Sequence, residues 1–437
     1  MTKCYPNATL FSPVCRRRVE VDFSGGHITS HGGALLLREA DRRIGLTADL
    51  AKILPELRRS SHLVHSQLHL LRQRIFALCL GHEDLNDHAS LRHDMALQTA
   101  IGRDQTLASA STLCRLEQRA GRDTAWRMHE ILIQQFMARH PTPPKQLVLD
   151  FDATDIPVHG EQEGRHFHAY YDHYCFLPLQ VFCGEHLLVN YLRPASKGAA
   201  HHALAVLSLL VKRLRQSWPK VQILFRGDAG FCLPRLLSWC DRARVDYVVG
   251  IGKNSRLNQL ASPLHYLAEQ RYDLEGKPQR HFTDLRYAAN SWRTERRVVA
   301  KAEHNAQGAN HRYVVTSLAD DSATHIYTEL YCARGDAENM IKAQQELFAD
   351  RTSCQNWWSN QWRMLLSGMA YTLVLALKHL ALKNTPVSRA QIDTLRKSLL
   401  NIGGVVVRNT RRVRLLLSSA HPHQDLFWTC IAALQSG

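Results

Sequence analysis

Apolar residues recur at helical spacing through about the first 140 residues. The segments GGALLLREADRRIGL and SHLVHSQLHLLRQRIFALCLG place apolar side chains three or four positions apart, which predicts amphipathic helices. Two shorter helical patterns follow, SLRHDMALQTAIG and LASASTLCRLEQRA, joined by a Gly-containing turn with Ser109 as the expected N-cap. The pair has the arrangement of a helix-turn-helix, although any helical bundle contains such pairs.

The pattern changes after PTPPK, which begins at Pro141 and is typical of a linker. Strand-like and helix-like runs now alternate, in the order LVLDFDATDIPVHG, the strand pair FLPLQVFCGEHLLVNYL, the helix AAHHALAVLSLLVKRLRQS, the strand VQILFRGDAG, the helix PRLLSWCDRARV and the strand DYVVGIG. Three strands followed by helix, strand, helix and strand predict a mixed α/β layer.

Residues 254–321 have a different pattern, because RHFTDLRYA, WRTERRVVAKAEH and HRYVVTSLA are β-rich and hairpin-like. The longest apolar stretch, MLLSGMAYTLVLALKHLAL from Met364, contains Ser, Gly, Tyr, Lys and His, which favours a buried helix over a membrane span. The predicted organisation is therefore a helical domain 1–140, an α/β part 141–253, a β-rich insertion 254–321, a second α/β part 322–385 and a C-terminal segment 386–437.

The amino-acid composition of the chain indicates which class of molecule it binds. The 437 residues are 45% hydrophobic, enough for substantial cores, and carry a formal net charge of +16 with a pI of about 9.5. Such a charge favours nucleic acid, the commonest cellular polyanion, although a merely soluble basic protein also fits. We predict DNA binding by residues 1–140, and DNA contact or dimerisation by the C-terminal segment 386–437, which contains the basic strand-like run GVVVRNTRRVRLLLSS. Basic clusters in the N-terminal region lie at Arg16–Arg18, Arg58 with Arg59, and Arg72 with Arg74.

The pattern of cysteines, and the lack of a signal-peptide run or a phosphate-binding loop, argue against several classes of protein. The 11 cysteines include no Cys-x-x-Cys pair, which argues against a disulfide framework and favours reduced thiols in a cytoplasm. The N-terminal stretch MTKCYPNATLFSPVCRRR has no apolar run of signal-peptide length. GDAGF and NIGG lack the Lys-Ser/Thr of a phosphate-binding loop, so we expect no nucleotide cofactor.

Three acids stand at positions that favour a common site. In LVLDFDATD, Asp150 and Asp152 point away from the apolar face of the strand, and strand periodicity cannot separate them. Asp228 follows another strand at a Gly-flanked turn, and sites in α/β sheets form at strand ends. Glu338 lies on a predicted helix further along the chain. We expect these three segments to bring their carboxylates to one point.

Carboxylates brought together repel each other unless cations intervene. Hard oxygen ligands suit Mg²⁺, or Mn²⁺ in its place, and two such ions about 3.5–4 Å apart support in-line phosphoryl displacement. In the alternative interpretation each acid is only a cap, a turn former or a surface ion-pair partner.

The stretch YCARGDAENMIKAQQ carries an unusual polar stripe. Tyr331, Arg334, Glu338 and Lys342 are separated by three, four and four residues, so an α-helix would stack them along one face. That face is not one that packs into a core. Asp336 falls on the opposite face and is excluded as a ligand.

Taken together, DFDATD, FRGDAGF and YCARGDAENMIK resemble the motifs of insertion-sequence transposases of the DDE class. More narrowly, the chain resembles the branch with a β-strand insertion before the third acid and a Tyr-x-x-Arg-x-x-x-Glu signature. The resemblance covers most of the chain from about residue 145 onward. It implies a ribonuclease-H-like mixed sheet flanked by helices, interrupted by the β-rich insertion.

Carried over by position, the resemblance assigns the metal ligands as Asp152, with Asp150 as second choice, Asp228 and Glu338. Tyr331 and Arg334 would contact the DNA backbone near the scissile bond, since Arg suits bidentate phosphate contact. The family often has a Lys seven residues after the Glu, where this chain has Gln345. Lys342 would either pair with Glu338 as an i, i+4 salt bridge or reach a phosphate.

The resemblance also gives Trp292 a candidate role. Related transposases use an aromatic residue of the insertion to stack a flipped base during hairpin formation, and such stacking is worth about 1–3 kcal/mol. Trp292 lies among Arg293, Arg296 and Arg297, which we predict to contact DNA. The alternative is that Trp292 packs in the small core of the β module.

The resemblance implies a DNA transposase that cuts insertion-sequence ends and joins them to target DNA by two-metal-ion phosphoryl transfer. Expected partners are double-stranded DNA with terminal inverted repeats, target DNA and a second copy of the chain on DNA, in the cytoplasm of a bacterium at its nucleoid. The alternatives are a catalytically inactive relic that still binds DNA, and a stand-alone nuclease of the same fold.

Overall fold

The computed structural model describes residues 11–58 and 63–436, so the predicted basic residue Arg59 lies outside the described residues. The chain divides into two compact units. One contains Met1–Leu116 and Leu373–Gly437, and the other contains Glu117–Thr372.

The predicted N-terminal helices are present. The first four predicted patterns correspond to α1, α3, α5 and α6. In chain order the elements are β1 (Phe11–Val14), β2 (Arg17–Val19), β3 (Ile28–Thr29), α1 (Ala34–Ile44), α2 (Leu46–Ile53), α3 (Gln67–Leu80), a 3₁₀ turn Leu85–Asp87, α4 (His88–Leu91), α5 (Met95–Ile101), α6 (Ala110–Glu117) and α7 (Arg122–Ala138).

The predicted alternation of strands and helices follows. The elements are β4 (Gln146–Asp152), β5 (Ile156–Pro157), β6 (His166–His168), β7 (His173–Phe176), β8 (Leu179–Cys183), β9 (His186–Tyr191), α8 (Ala203–Ser217), β10 (Gln222–Gly227), a 3₁₀ turn Ala229–Phe231, α9 (Pro234–Ala243), β11 (Asp246–Ile251), α10 (Ser255–Leu260), α11 (Ser262–Glu275), β12 (Gln279–Tyr287), β13 (Arg296–Asn305), β14 (Gly308–Ala309) and β15 (Arg312–Thr316).

The last part of the chain is mostly helical. It comprises α12 (Ala323–His325), a π-helical turn Ile326–Tyr331, a 3₁₀ turn Cys332–Arg334, α13 (Gly335–Gln345), α14 (Trp357–Leu377), a π-helical turn Lys378–Leu382, α15 (Ile392–Leu395), a π-helical turn Arg396–Leu400, β16 (Gly404–Arg408), β17 (Val413–Leu417) and α16 (Gln424–Gln435).

The central sheet has the expected ribonuclease-H-like core. Its strand order β9-β8-β4-β10-β11 places the first predicted strand, β4, in the middle. β10 runs parallel to both β4 and β11, whereas β8 is antiparallel to β4 and to β9. Helices α7, α8 and α9 contribute side chains to the same hydrophobic core as the sheet. The mixed α/β fold with flanking helices is thereby confirmed.

The insertion extends this sheet. Strands β12, β13 and β15 match the three predicted β-rich segments, and β15 pairs antiparallel with β11. β13 then pairs with β15 and β12. The insertion therefore continues the hydrogen-bonding edge that β11 would otherwise leave open. Helices α10 and α11 precede these strands and were not predicted.

The compact units do not follow the predicted boundaries at 140 and 386. Helix α7 belongs to the unit with the large sheet because Ile133 and Phe136 are buried in that core. Its His129 also accepts a hydrogen bond from the backbone N–H of Asn190 on β9, at 3.2 Å. In the other unit, β16 pairs with β3, which joins the C-terminal segment to residues near the beginning of the chain.

The long apolar helix lies mostly inside the protein. The helical stretch Trp357–Leu382 is long enough to cross a membrane, and its most apolar 18-residue window has a mean hydropathy of 1.5, but 78% of that window is buried. Its Gln361 side chain donates to the carbonyl of Asn190 and accepts from the N–H of Leu192, each at 2.8 Å. Polar groups satisfied in this way are typical of a core helix, as predicted from the sequence.

A buried charge cluster joins two strands of the insertion. Glu303 accepts hydrogen bonds from Lys301 at 2.6 Å, from Arg280 at 2.6 Å and from Asn310 at 3.0 Å. Lys301 and then Arg280 lower the pKa of the Glu303 carboxyl from 4.5 to about 2, against the effect of burial. The folded state thus favours the ionised carboxylate.

We expect Glu303→Gln to lower the free energy of unfolding by roughly 1–3 kcal/mol, because it leaves the buried Lys301 without its counter-charge. Since the folded-state pKa is depressed, this stabilisation is present above pH 4.5 and is lost as the pH falls towards 2. Thermal unfolding of both proteins across this range measures the difference. The control Glu275→Gln removes an exposed partner of Arg271 and should change little; equal losses in the two variants would contradict the prediction.

Candidate active site

Two of the predicted acids lie side by side at the carboxyl ends of parallel strands. β4 ends at Asp152 and β10 at Gly227, and Gly227 is paired with Phe151. Asp228, the next residue, therefore lies beside Asp152. Its carboxylate caps the following 3₁₀ turn by accepting the N–H of Gly230 at 2.8 Å. The parallel register thus brings together two acids that are 76 positions apart in the sequence.

The predicted polar stripe lies on an irregular helix. The offsets between Tyr331, Arg334 and Glu338 assumed ideal α-helical geometry, whereas the π turn ends at Tyr331 and the 3₁₀ turn ends at Arg334. α13 then carries Glu338 in its first turn, where an acid is favoured by the helix dipole. Short π segments inside helices often occur at functional sites.

Arg334 links the first and third predicted acids. Its Nη1 donates to Asp152 Oδ1 at 3.1 Å, and its Nη2 lies 3.5 Å from Glu338 Oε1. Asp152 also accepts a hydrogen bond from the Thr154 hydroxyl at 3.0 Å. One guanidinium, with 19% of its side chain exposed, therefore lies between two of the proposed metal ligands.

The site has an excess of negative charge. Burial raises the pKa of the Asp152 carboxyl, the Arg334 guanidinium opposes this effect, and the charges of Asp228 and Glu338 raise the pKa further. These carboxylates are the hard oxygen donors that suit Mg²⁺ or Mn²⁺. In the part of the chain that the structure describes, no three His, Cys, Asp or Glu side chains are placed so that together they could hold a metal ion. The acids fit a divalent cation in charge and chemistry, with Arg334 now supplying the positive charge between them.

Asp150 has a different partner. Both of its oxygens accept hydrogen bonds from Arg226, which lies directly across from it on β10, and both side chains are buried. Arg226 also donates to the carbonyls of Leu330 at 2.6 Å and Ala333 at 3.3 Å. This pair ties the helix that carries Arg334 to the sheet, so the geometry favours Asp152 over Asp150 as the ligand and gives Asp150 a supporting role.

Tyr331 reaches the site through a gap left by a glycine. A Cβ at Gly250 would lie 2.6 Å from the Tyr331 hydroxyl oxygen and 2.9 Å from the backbone nitrogen of Ala229. Burial raises the pKa of the Tyr331 hydroxyl, Arg334 opposes the shift, and Asp228 adds to it. The Tyr331 hydroxyl therefore lies near Asp228, and its predicted contact with the DNA backbone stays a prediction.

Lys342 does not pair with Glu338. Lys342 is exposed, and Glu338 is instead within ion-pair distance of Arg334. The contact of Lys342 with a phosphate stays a prediction. The neighbour of Gln345, the buried Gln344, accepts from Asn190 at 3.3 Å and thereby anchors α13 to β9.

The insertion contributes less to the site surface than predicted. Trp292 is partly buried against the core, and its ring meets that of Tyr287 edge-on at 5.4 Å between centroids, in agreement with the packing alternative. Arg296 is 7% exposed and paired with Asp241 at 2.7 Å, which argues against DNA contact because its side chain points inward from β13.

Arg297 and Arg293, the two other arginines predicted to contact DNA from the insertion, differ in their exposure and in their partners. Arg297 is largely buried, pairs with Asp284 at 2.8 Å and donates to the carbonyls of Leu318 and Asp321. Because these partners already occupy its guanidinium, the structure argues against DNA contact by Arg297 as well. Arg293 is exposed, so its predicted contact with DNA stays a prediction.

Three supporting residues escaped the sequence analysis, namely Arg226, Gly250 and Gln344. A signal existed for Arg226, since a single arginine in the apolar run VQILFRG needs a buried counter-charge. Its partner became evident only from the strand register. Gly250 and Gln344 left no comparable pattern.

We expect Gly250→Ala to lower the free energy of unfolding by about 1–3 kcal/mol, because the added Cβ would displace Tyr331 and the turn after Asp228. Gly252→Ala is the matched control, since its Cβ meets nothing within 4 Å. Urea unfolding of both variants measures the difference. Equal stability of the two variants would contradict the prediction, because it would show that a Cβ at position 250 fits without displacing Tyr331.

Asn substitutions should separate the two aspartates of β4. We expect Asp150→Asn to destabilise the protein by about 3–5 kcal/mol, because it leaves the buried Arg226 without its charge partner. Asp152→Asn should cost less than about 1 kcal/mol, since it removes a charge that burial already disfavours. Thermal unfolding at neutral pH measures both effects. A larger loss for Asp152→Asn would reverse the two roles.

The comparisons with known proteins agree with the motifs. No curated protein matches the chain. One solved structure with some similarity is a piggyBac transposase synaptic complex with hairpin DNA, at 12% identity over 84% of this chain and 79% of that chain, with a TM-score of 0.38. The family model described as transposase DDE domain group 1 matches residues 11–437, and the chain therefore belongs to the DDE transposase family.

Proposed function

We propose that this transposase cuts DNA at the ends of an insertion sequence and joins those ends to target DNA by metal-dependent phosphoryl transfer. The observation that carries the proposal is that Asp152 and Asp228 lie side by side at the carboxyl ends of two parallel strands, and that Arg334 contacts both Asp152 and Glu338. An acidic site in a chain of net charge +16 suits a reaction in which carboxylates hold metal and basic groups hold DNA.

Asp152, Asp228 and Glu338 would hold two Mg²⁺ ions, or Mn²⁺ in their place. When bound, such ions polarise the scissile phosphate and favour both attack and departure of oxygen in an in-line displacement. Thr154 would keep Asp152 oriented through its present hydrogen bond. The Asp150–Arg226 pair would keep the helical stretch that carries Arg334 in its present position against the sheet.

Arg334 would exchange its carboxylate partners for a DNA phosphate when cations bind. Its guanidinium now offsets part of the charge of two carboxylates, and once cations take over that task its forked donors can bind a phosphate oxygen pair. The Tyr331 hydroxyl, and the exposed Lys342 on α13, would add contacts to the same DNA backbone.

The proposed reaction has two stages at this one site. Water first cuts the phosphodiester bond at an element end and leaves a 3′-hydroxyl, and that hydroxyl then attacks a phosphate of the target. Because two ends must be joined, we propose that two copies of the chain act together on double-stranded DNA with terminal inverted repeats.

We expect Asp152→Asn, Asp228→Asn and Glu338→Gln each to reduce cutting by about a thousandfold or more while DNA binding is retained. The assay combines purified protein, Mg²⁺ and a linear duplex carrying the inverted repeats that flank the gene. Asp336→Asn is the control, an exposed acid of the same helix that we exclude as a ligand.

The outcomes separate the alternatives. Unchanged Mg²⁺-dependent nicking in all three variants would overturn the assignment of the acids. A parent protein that binds the duplex without cutting it would be an inactive relic. Cutting without preference for the repeats and without joined products would identify a stand-alone nuclease.

A further inference from the structure

The C-terminal segment contains a basic β-ribbon that the proposed reaction does not use. The ribbon is formed by β16 (Gly404–Arg408), β17 (Val413–Leu417) and the turn of residues 409–412 between them, with antiparallel pairing from Gly404–Leu417 to Arg408–Val413. The sequence RNTRRVR at its tip holds four arginines in seven residues. The chain has no Asp or Glu from 394 to 424, so no acid of this segment offsets them.

The arginines at the tip face solvent. Arg411, Arg412 and Arg414 are exposed, and no carboxylate within ion-pair distance is found for them among the described residues. Many other arginines of this chain, such as Arg226 and Arg296, are paired with acids. Exposed arginines without a counter-charge are typical of a surface that binds a polyanion.

The turn holds these arginines in a defined conformation. The Asn409 side-chain oxygen accepts the backbone N–H groups of Arg411 and Arg412, each at 3.0 Å, and the Asn409 N–H donates to the carbonyl of Arg412 at 3.0 Å. Three hydrogen bonds thus order the backbone before any partner arrives. Preorganisation of this kind reduces the entropy cost of binding.

The base of the ribbon is anchored. Val406 is 2% exposed, and Gly404 and Val405 pair with Thr29 and Ile28 of β3. The tip therefore projects from a rigid support. A rigid two-stranded ribbon with a charged tip has the size and shape that the major groove of B-form DNA admits.

We infer that this ribbon inserts into the major groove of double-stranded DNA, with Arg411 and Arg412 contacting both base edges and flanking phosphates. The inference rests on the proposed function, and it gives the ribbon the DNA-contact role, one of the two roles that the sequence left open for residues 386–437. Charge opposes a dimer contact from tip to tip, because two copies meeting there would bring eight arginines together without an acid from the segment.

The test compares Arg411→Ala/Arg412→Ala with the parent protein in binding to a mixed-sequence 40-base-pair duplex and to duplexes that the parent selects from a randomised library. We expect at least about tenfold weaker binding and a salt slope smaller by about two, since each phosphate that the variant no longer neutralises lowers the slope by about 0.9. Dimethyl sulfate protection of guanine N7 in the major groove should vanish over a few base pairs.

The matched control is Lys220→Ala/Arg242→Ala. It removes the same charge from two exposed residues near the starts of β10 and β11, at the sheet edge opposite the acids. A second variant, Arg411→Lys/Arg412→Lys, keeps the charge but loses the forked donors, and should lose the N7 protection with a smaller loss of affinity. Thermal unfolding of each variant verifies that the fold is retained.

Three outcomes would overturn the inference. These are unchanged affinity and salt slope, weaker binding with N7 protection intact, and a change from dimer to monomer with unchanged affinity of each copy for DNA. The proposed function fails separately, when the parent protein itself neither cuts nor joins DNA. A ribbon variant that still cuts DNA at high protein concentration would leave the catalytic proposal standing.

Discussion

The buried pair of Asp150 and Arg226 connects every part of the candidate site. It lies between the two parallel strands whose ends carry Asp152 and Asp228, and Arg226 donates two further hydrogen bonds to the helix that carries Arg334. A buried charge without a partner is costly, so each member of the pair holds the other in place. The distance between the sheet and the helix, and with it the position of Glu338, follows from this interaction.

The second constraint is charge balance. Three carboxylates at one edge of the sheet would repel each other, and Arg334 offsets part of that repulsion through its contacts with Asp152 and Glu338. The remaining negative charge is what makes the site suitable for divalent cations. The tip of the arginine ribbon shows the opposite arrangement, with exposed positive charge and no acid of its own segment. Acidic and basic features thus occupy separate elements of the fold.

Much of the fold and the polar composition of the site could be predicted from the sequence. Periodicity located the strands that bear Asp152 and Asp228, because a half-buried strand alternates regardless of its neighbours. It could not show which way Arg296 points, since the face of a strand depends on the register with its partner. Nor could it show that Trp292, in the connection between β12 and β13, packs against Tyr287. It also could not show that α7 belongs to the unit with the large sheet, because the apolar stripe of a helix does not say which core it enters.

The sequence by itself supplied the candidate acids, the helix that carries Glu338, and the basic character of the chain, since these depend on residue type and local spacing. Only the tertiary structure decided that Asp150 pairs with Arg226 while Asp152 contacts Arg334, that Arg334 rather than Lys342 partners Glu338, and that the insertion lengthens the central sheet. The physical reason is the same in each case. Pairing across strands and between a helix and a sheet joins residues far apart in the sequence, and no local pattern records which partner is chosen.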